Sequence, residues 1–142
     1  MKNDSIKVKH IENMSFATET DGFELIIDAH PDFGGNNKGP KPKTLVLTAL
    51  GGCTSMDVVS TLKKMRVDYT EFTVFVSGEL NDATPKYYHK IHVIYEITGD
   101  NIPADKIKRA VELSEEKYCG VSFMLRKAAE ITSEIRINGK VL

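Results

Sequence analysis

The most informative segment of the sequence is Leu45-Val46-Leu47-Thr48-Ala49-Leu50-Gly51-Gly52-Cys53. It lies in a proline-free run, from residue 43 to about residue 66, in which apolar residues recur at helical spacing. Pro42 suits the first position of a helix, because its missing N–H would be unpaired there in any case. Residues 45–50 are apolar nearly all round, as in a helix that is buried on several sides. We therefore predict a long helix, on the order of 35 Å, through the centre of the protein.

Gly51 and Gly52 interrupt this helix just before Cys53. Each interior glycine costs about 1 kcal/mol of helix stability relative to alanine. Two in succession indicate that a neighbouring group comes close to the backbone. Either the helix crosses another element tightly, a partner subunit included, or the glycines leave space beside the Cys53 sulfur.

The rest of the chain predicts a mixture of strands and helices. Apolar and polar residues alternate at residues 6–11, 23–27, 72–80, 91–97 and 131–137, and the third and fourth of these strands form a hairpin. The proline- and glycine-rich segment 31–42 is typical of a mobile loop. A second helix begins at Pro103, with Gly120 predicted as its C-terminal cap and 121–127 as a short turn. Because the elements do not alternate as βαβ units, we predict one α+β domain over residues 1–142.

Composition and charge exclude several classes of partner. The chain has 142 residues and a net charge of −1, which gives no field that would attract nucleic acid or an anionic membrane. No apolar run resembles a signal peptide or a membrane span. We therefore expect a cytoplasmic protein with no nucleic-acid and no membrane partner.

Cys53 and Cys119 are the two cysteines, and a reducing compartment disfavours a structural disulfide between them. Three interpretations stay open: buried apolar packing, metal ligation or redox chemistry. Zinc is disfavoured, since there is no C-x-x-C motif and His89 and His92 lie on opposite faces of a predicted strand. The chain also lacks a P-loop and a nucleophilic serine elbow. We expect no metal and no cofactor.

Two motifs together resemble a known family. The first is Gly39-Pro40-Lys41-Pro42 leading into Leu-x-Leu-x-Ala-Leu-Gly-Gly-Cys, which ends at Cys53 and is followed by Asp57-Val58. The second is Tyr118-Cys119-Gly120-Val121-Ser122, followed by Glu130-Ile131-Thr132. They resemble the first-cysteine helix and the second-cysteine segment of the OsmC/Ohr family of osmotically inducible and organic-hydroperoxide-resistance proteins. The resemblance covers about residues 39–137.

The resemblance implies antiparallel sheets packed around a long central helix in an intertwined homodimer, with the cysteines meeting near the subunit interface. It implies that Cys53 is the thiolate that reduces a small apolar hydroperoxide, and that Cys119 then forms a disulfide with it. An external dithiol, a lipoyl group in some members, reduces that disulfide. The alternative is a non-catalytic homodimer that binds an apolar molecule in an interface pocket or senses redox state.

The chain departs from the family at the groups that activate the first cysteine. Family peroxidases use an N-terminal arginine and a glutamate just before the central helix. Here no arginine precedes Arg66, and Pro42-Lys43 stands where the family has Pro-Glu. Lys43 would supply a charge but not a bidentate fork. Asp57 either faces the Cys53 sulfur, where it disfavours the thiolate, or pairs with a nearby lysine.

Overall fold

The computed structural model describes all residues from Met1 to Leu142. It contains seven strands and three α-helices, with a 3₁₀ turn at Pro31–Phe33 and a π-helical turn at Ser114–Tyr118. In chain order the strands and α-helices are β1 (Lys7–Glu12), β2 (Ser15–Thr20), β3 (Phe23–Ile27), α1 (Pro42–Lys64), β4 (Glu71–Leu80), β5 (Tyr88–Thr98), α2 (Ala104–Leu113), α3 (Gly120–Leu125), β6 (Glu130–Ile137) and β7 (Lys140–Val141). The chain divides into two compact units, Met1–Val46 and Leu47–Leu142.

The first unit contains a three-stranded antiparallel sheet in the order β1-β2-β3. Strands β1 and β3 were predicted, whereas β2 was not, because its sequence Ser-Phe-Ala-Thr-Glu-Thr is mostly polar. The well-buried residues of this unit are Ser15, Thr18 and Asp28. No hydrophobic residue of the first unit is fully buried in the single chain.

The loop after β3 is anchored on the Asp28 carboxylate. This carboxylate accepts hydrogen bonds from the backbone N–H groups of Ala29 at 2.8 Å, Asn36 at 3.0 Å and Lys38 at 3.2 Å. The bond from Asn36 is the main reason why the pKa of Asp28 lies below its usual value. Gly39 closes the loop, because a Cβ there would lie 2.0 Å from the Ile26 carbonyl oxygen.

The second unit contains a four-stranded sheet in the order β4-β5-β6-β7. The predicted β4–β5 hairpin is confirmed. Strand β6, in contrast, pairs parallel to β5, with Ile91 opposite Ile131, so this sheet is mixed and the expected antiparallel pairing holds for its other strand pairs. The chain between these strands contains α2 and α3, which makes it a crossover long enough for parallel pairing. One βαβ unit is therefore present within an α+β fold.

Helix α1 confirms the predicted long helix. Its buried positions, at spacings of three and four, belong to one apolar core with the inward side chains of β5 and α2. These core residues are Leu50, Val58, Leu62, Ile91, Val93, Tyr95, Ile97, Ile107, Ala110 and Val111. The expectation that residues 45–50 are buried on several sides is wrong for the single chain, since Val46 is 39% exposed and Ala49 is also exposed.

The segment around Cys119 differs from its prediction. Helix α2 ends at Leu113 and widens into the π-helical turn, in which the Cys119 N–H donates to the Ser114 carbonyl at 2.8 Å. Cys119 itself is extended, and Gly120 is the first residue of α3. The predictions of a glycine cap at Gly120 and of a turn at 121–127 are therefore wrong. A π-turn carries no distinct sequence signal, although such turns are frequent at functional sites.

Candidate functional site

Cys53 and Cys119 lie together with Asp57 in the second unit. Cys53 and Asp57 are one turn apart on α1, so both side chains point to the same side of the helix. The π-helical turn brings Cys119 to this side, and the two sulfurs and a carboxylate oxygen of Asp57 all lie within 4.8 Å of one another. Both cysteines are free thiols. Cys53 is half-buried, whereas Cys119 is only 4% exposed.

Cys119 is held in its protonated form by its surroundings. The pKa of the Cys119 thiol is raised to about 11, mainly by burial and also by the neighbouring Cys53 and Asp57 side chains. The Ser122 N–H, 3.3 Å from the Cys119 sulfur, acts in the opposite direction but is outweighed. Cys119 is therefore a poor nucleophile at neutral pH while it keeps these surroundings.

Asp57 points into the cysteine site. Its Oδ2 accepts a hydrogen bond from the Ser114 hydroxyl at 3.0 Å, and it faces both sulfurs. Of the two alternatives open from the sequence, the structure therefore shows the one in which Asp57 faces the thiols rather than a lysine.

The hydrogen bond between Asp57 and Ser114 continues, away from the cysteines, through a chain of three buried hydroxyls. The Ser114 oxygen lies 2.7 Å from the Thr54 hydroxyl, which lies 2.8 Å from the Tyr95 hydroxyl, and Tyr95 donates to Glu115 at 3.1 Å. Sequence reasoning missed these residues. The available signal was Thr54 itself, a polar residue in the buried stripe between Leu50 and Val58.

A cleft of about 680 Å³ opens beside Cys119. Its lining is formed by Glu115, Glu116, Lys117, Tyr118, Cys119, Gly120, Phe123 and Arg126. The Arg126 guanidinium Nε donates to the Ser122 hydroxyl at 3.2 Å, which holds a positive charge at this cleft. Lys43, in contrast, lies almost three helical turns before Cys53, roughly 15 Å along the helix axis. Arg126 therefore brings a positive charge to the cleft that Cys119 lines.

The same three donor atoms raise the question of a metal. Thiolates and a carboxylate are donor types that zinc accepts, and three protein donors are the number that a catalytic zinc site takes, whereas a structural site takes four. Zinc binds the thiolate form of cysteine, and the raised pKa of Cys119 opposes that form, so we assign no metal to the site.

Comparison with known proteins agrees with this fold. The family model described as OsmC-like protein matches residues 35–134, a range that includes both cysteines. Protein YhfA of Escherichia coli K12 is 35% identical over 132 residues, which cover 92% of this chain and 96% of YhfA. The crystal structure of a hypothetical protein from Aquifex aeolicus VF5 superposes with a TM-score of 0.82 at 26% identity, covering 97% of this chain and 99% of that chain.

A more distant structure shares the fold at low identity. An organic hydroperoxide resistance protein OsmC from Legionella pneumophila, described as a predicted redox protein, has a TM-score of 0.72 at 16% identity, with 96% of this chain and 98% of that chain covered.

Two sheets, one long helix and a facing pair of cysteines define the class of OsmC-like proteins. This chain belongs to the OsmC-like family, which confirms the resemblance seen in its motifs. Helix α1 is long and apolar enough to span a membrane by length and composition, but the core helix of a soluble protein passes the same test. OsmC-like proteins are soluble, and α1 carries the buried core stripe expected of such a helix.

Proposed function

We propose that this protein is a thiol-dependent reductase of organic hydroperoxides that uses Cys53 and Cys119. The observation that carries the proposal is the approach of the two sulfurs and the Asp57 carboxylate to within 4.8 Å. The unequal burial of the two cysteines supports different tasks for them. The half-buried Cys53 meets the substrate, and the buried Cys119 resolves the product.

In the first step the Cys53 thiolate attacks one oxygen of the hydroperoxide. An S–O bond forms, the O–O bond breaks, and the electron pair leaves on the alkoxide, which takes a proton and departs as an alcohol. The sulfur is oxidised to a sulfenic acid and the peroxide is reduced.

In the second step the Cys119 sulfur attacks the Cys53 sulfenic acid. An S–S bond forms, the S–O bond breaks, and the hydroxyl group leaves as water after taking the proton of Cys119. The raised pKa of Cys119 keeps it protonated until this point. An external dithiol then reduces the disulfide by thiol exchange and restores both thiols.

The substrate class and the assembly belong to the same proposal. Tyr118 and Phe123 give the cleft beside Cys119 an aromatic lining suited to an apolar hydroperoxide, and the Cys53 sulfur lies within 4.8 Å of the Cys119 sulfur at its edge. The Legionella neighbour is named for resistance to organic hydroperoxides. Exposed apolar side chains on the first unit and on α1, among them Phe23 at 75% and Val46 at 39%, support a homodimer that covers them. Two free thiols suit the reducing cytoplasm.

Steady-state turnover of cumene hydroperoxide with an excess of a dithiol tests the proposal. We expect the wild-type protein to consume the hydroperoxide and the Cys53→Ser variant to lose turnover. The matched Cys119→Ser variant is expected to complete one turnover and to accumulate a sulfenic acid that dimedone traps. No consumption by the wild-type protein, or equal consumption by Cys53→Ser, would contradict the proposal.

A second candidate is a non-catalytic homodimer that binds an apolar molecule or senses redox state. It is favoured by the chain's lack of any arginine before Arg66 and by the raised pKa of Cys119, both of which slow thiol chemistry. This candidate predicts an apolar molecule bound in native mass spectrometry and retained after Cys53→Ser.

A further inference from the structure

The hydroxyl chain next to the cysteines is one proton short. Four hydrogen bonds connect its members in the order Asp57, Ser114, Thr54, Tyr95 and Glu115, with lengths of 3.0, 2.7, 2.8 and 3.1 Å. Each bond needs one proton between its two oxygens, and each hydroxyl carries one. Three hydroxyls therefore supply protons for four bonds when both carboxylates are ionised.

The shortage falls on Thr54. The Ser114 hydroxyl donates to Asp57 and the Tyr95 hydroxyl donates to Glu115, so each has used its proton. Thr54 is left to donate towards both of its neighbours, but it has one proton. Solvent does not fill the gap, because Ser114, Thr54 and Tyr95 are each at most 1% exposed. Burial also raises the pKa of Tyr95, which keeps its proton in place.

We propose that this shortage is filled by the proton that Cys53 loses, with Asp57 as the group that receives it. This inference rests on the proposed role of Cys53 as the attacking thiolate. The Cys53 S–H bond breaks, its electron pair stays on the sulfur, and an O–H bond forms on the Asp57 carboxylate, which lies within 4.8 Å. Asp57 then donates to Ser114, Ser114 to Thr54 and Thr54 to Tyr95, and all four bonds have a proton.

The proton stays on the chain while Cys53 is a thiolate. Glu115, at the other end, maintains the shortage because it accepts the Tyr95 proton and supplies none. The thiolate then forms beside a neutral Asp57 without the N-terminal arginine that the family's peroxidases use.

Charged and titratable groups surround both ends of the chain. Asp57 faces Cys53 and Cys119. The charged groups that line the surface on either side of Glu115 are Glu116, Lys117 and Arg126 on one side and Lys108, Glu112 and Glu134 on the other.

The pH profile of Cys53 alkylation tests the inference without any hydroperoxide. Reduced protein reacts with iodoacetamide between about pH 5 and pH 8, and the Cys53 peptide is followed by mass spectrometry. An ordinary thiol slows about tenfold for each pH unit below its titration, because its thiolate fraction falls by that factor. In the wild-type protein we expect the rate to reach a plateau, because a thiolate whose proton stays on the chain has a population that does not depend on pH.

Two variants remove the shortage in different ways. Thr54→Val leaves two separate bonds with two donors, whereas Glu115→Gln supplies the fourth proton from its amide. Both are expected to lower the plateau at least tenfold, and the matched variant Thr54→Ser is expected to keep it. Glu115→Gln keeps the shape of a half-buried side chain, so the test stands even where Thr54→Val fails to fold.

The outcomes separate this inference from the proposed function. A wild-type profile without a plateau, or the same plateau in all four proteins, would overturn the proton chain even in an active peroxidase. A plateau that depends on Thr54 and Glu115, in a protein that consumes no hydroperoxide, would support the chain and reject the peroxidase.

Discussion

Cys53 and Cys119 face the same carboxylate but differ in burial, and this difference separates their chemistry. Cys119 is enclosed by the π-helical turn and α3, and burial raises its pKa to about 11. Cys53 keeps part of its surface accessible on α1. A reagent from outside therefore reaches Cys53 more easily than Cys119, and the proposed role of Cys119 is to attack the neighbouring sulfur.

The raised pKa of Cys119 predicts a loss of stability at alkaline pH. Its ordinary value is 9.0, so between about pH 9 and 11 the unfolded chain releases a proton that the folded chain keeps. The stabilisation from this thiol is complete below pH 9 and is lost as the pH rises through 11. Urea unfolding under reducing conditions measures the difference between the wild-type protein and Cys119→Ala.

We expect that difference to shrink from pH 8 to pH 11. The pKa of Tyr95 is raised as well, but mainly by its own burial and least by Cys119, so its contribution is nearly the same in both proteins. A difference that stays constant over this range would contradict the assignment of a buried, protonated thiol.

At the scale of single elements, α1 carries most of the site, and its two glycines have different surroundings. A Cβ at Gly51 would lie 3.1 Å from the Val76 side chain of β4, whereas a Cβ at Gly52 would meet nothing within 4 Å. Gly51 thus agrees with the predicted tight crossing. Gly52 borders open space, and a role for that space beside the Cys53 sulfur stays a prediction.

Alanine substitutions distinguish these two roles. Gly52→Ala is expected to stabilise the folded chain by about 1 kcal/mol through helix propensity, and to lower hydroperoxide turnover by filling the space beside Cys53. Gly51→Ala is the matched control, in which contact with Val76 offsets the gain. Denaturant unfolding and turnover measure the two effects, and a Gly52→Ala protein with undiminished turnover would show that neither substrate nor a partner copy uses this space.

The sequence predicted those elements whose local pattern is strong. The run of apolar residues after Pro42 predicted α1, and alternation predicted β4, β5 and β6. Strand β2 was missed because its mostly polar residues hide the alternation. The parallel pairing of β6 with β5 was missed because it depends on the connection through α2 and α3 rather than on the sequence of either strand. The meeting of Cys53 with Cys119 followed from family resemblance, while the chain through Ser114 and Tyr95 depends on tertiary contacts that no local pattern encodes.

At the scale of the whole molecule, apolar surface is distributed unevenly. The buried core draws its residues from the second unit, and the first unit leaves Phe23 and Leu25 of β3 exposed. A three-stranded sheet without buried apolar residues gains little stability by itself. In the proposed homodimer, a second copy of the chain would cover both this surface and the exposed start of α1.

The homodimer is tested by sedimentation or light scattering. We expect a dimer at micromolar concentration. Val46→Glu is expected to shift it towards monomer, because the substitution would bury a carboxylate without a partner charge in the interface. Lys64→Glu, an exposed change at the far end of α1, serves as the control and is expected to stay dimeric. A monomeric wild-type protein would contradict the dimer.

The central claim is that Cys53 and Cys119 are a working redox pair, and stoichiometric oxidation tests it most directly. Fully reduced protein is treated with one equivalent of cumene hydroperoxide, quenched by alkylation and mapped by peptide mass spectrometry. The account predicts an intramolecular disulfide between Cys53 and Cys119 that a dithiol reverses, with one molecule of alcohol formed per disulfide. Two free thiols after the hydroperoxide has been offered, or a Cys53 oxidised while Cys119 stays free, would contradict it.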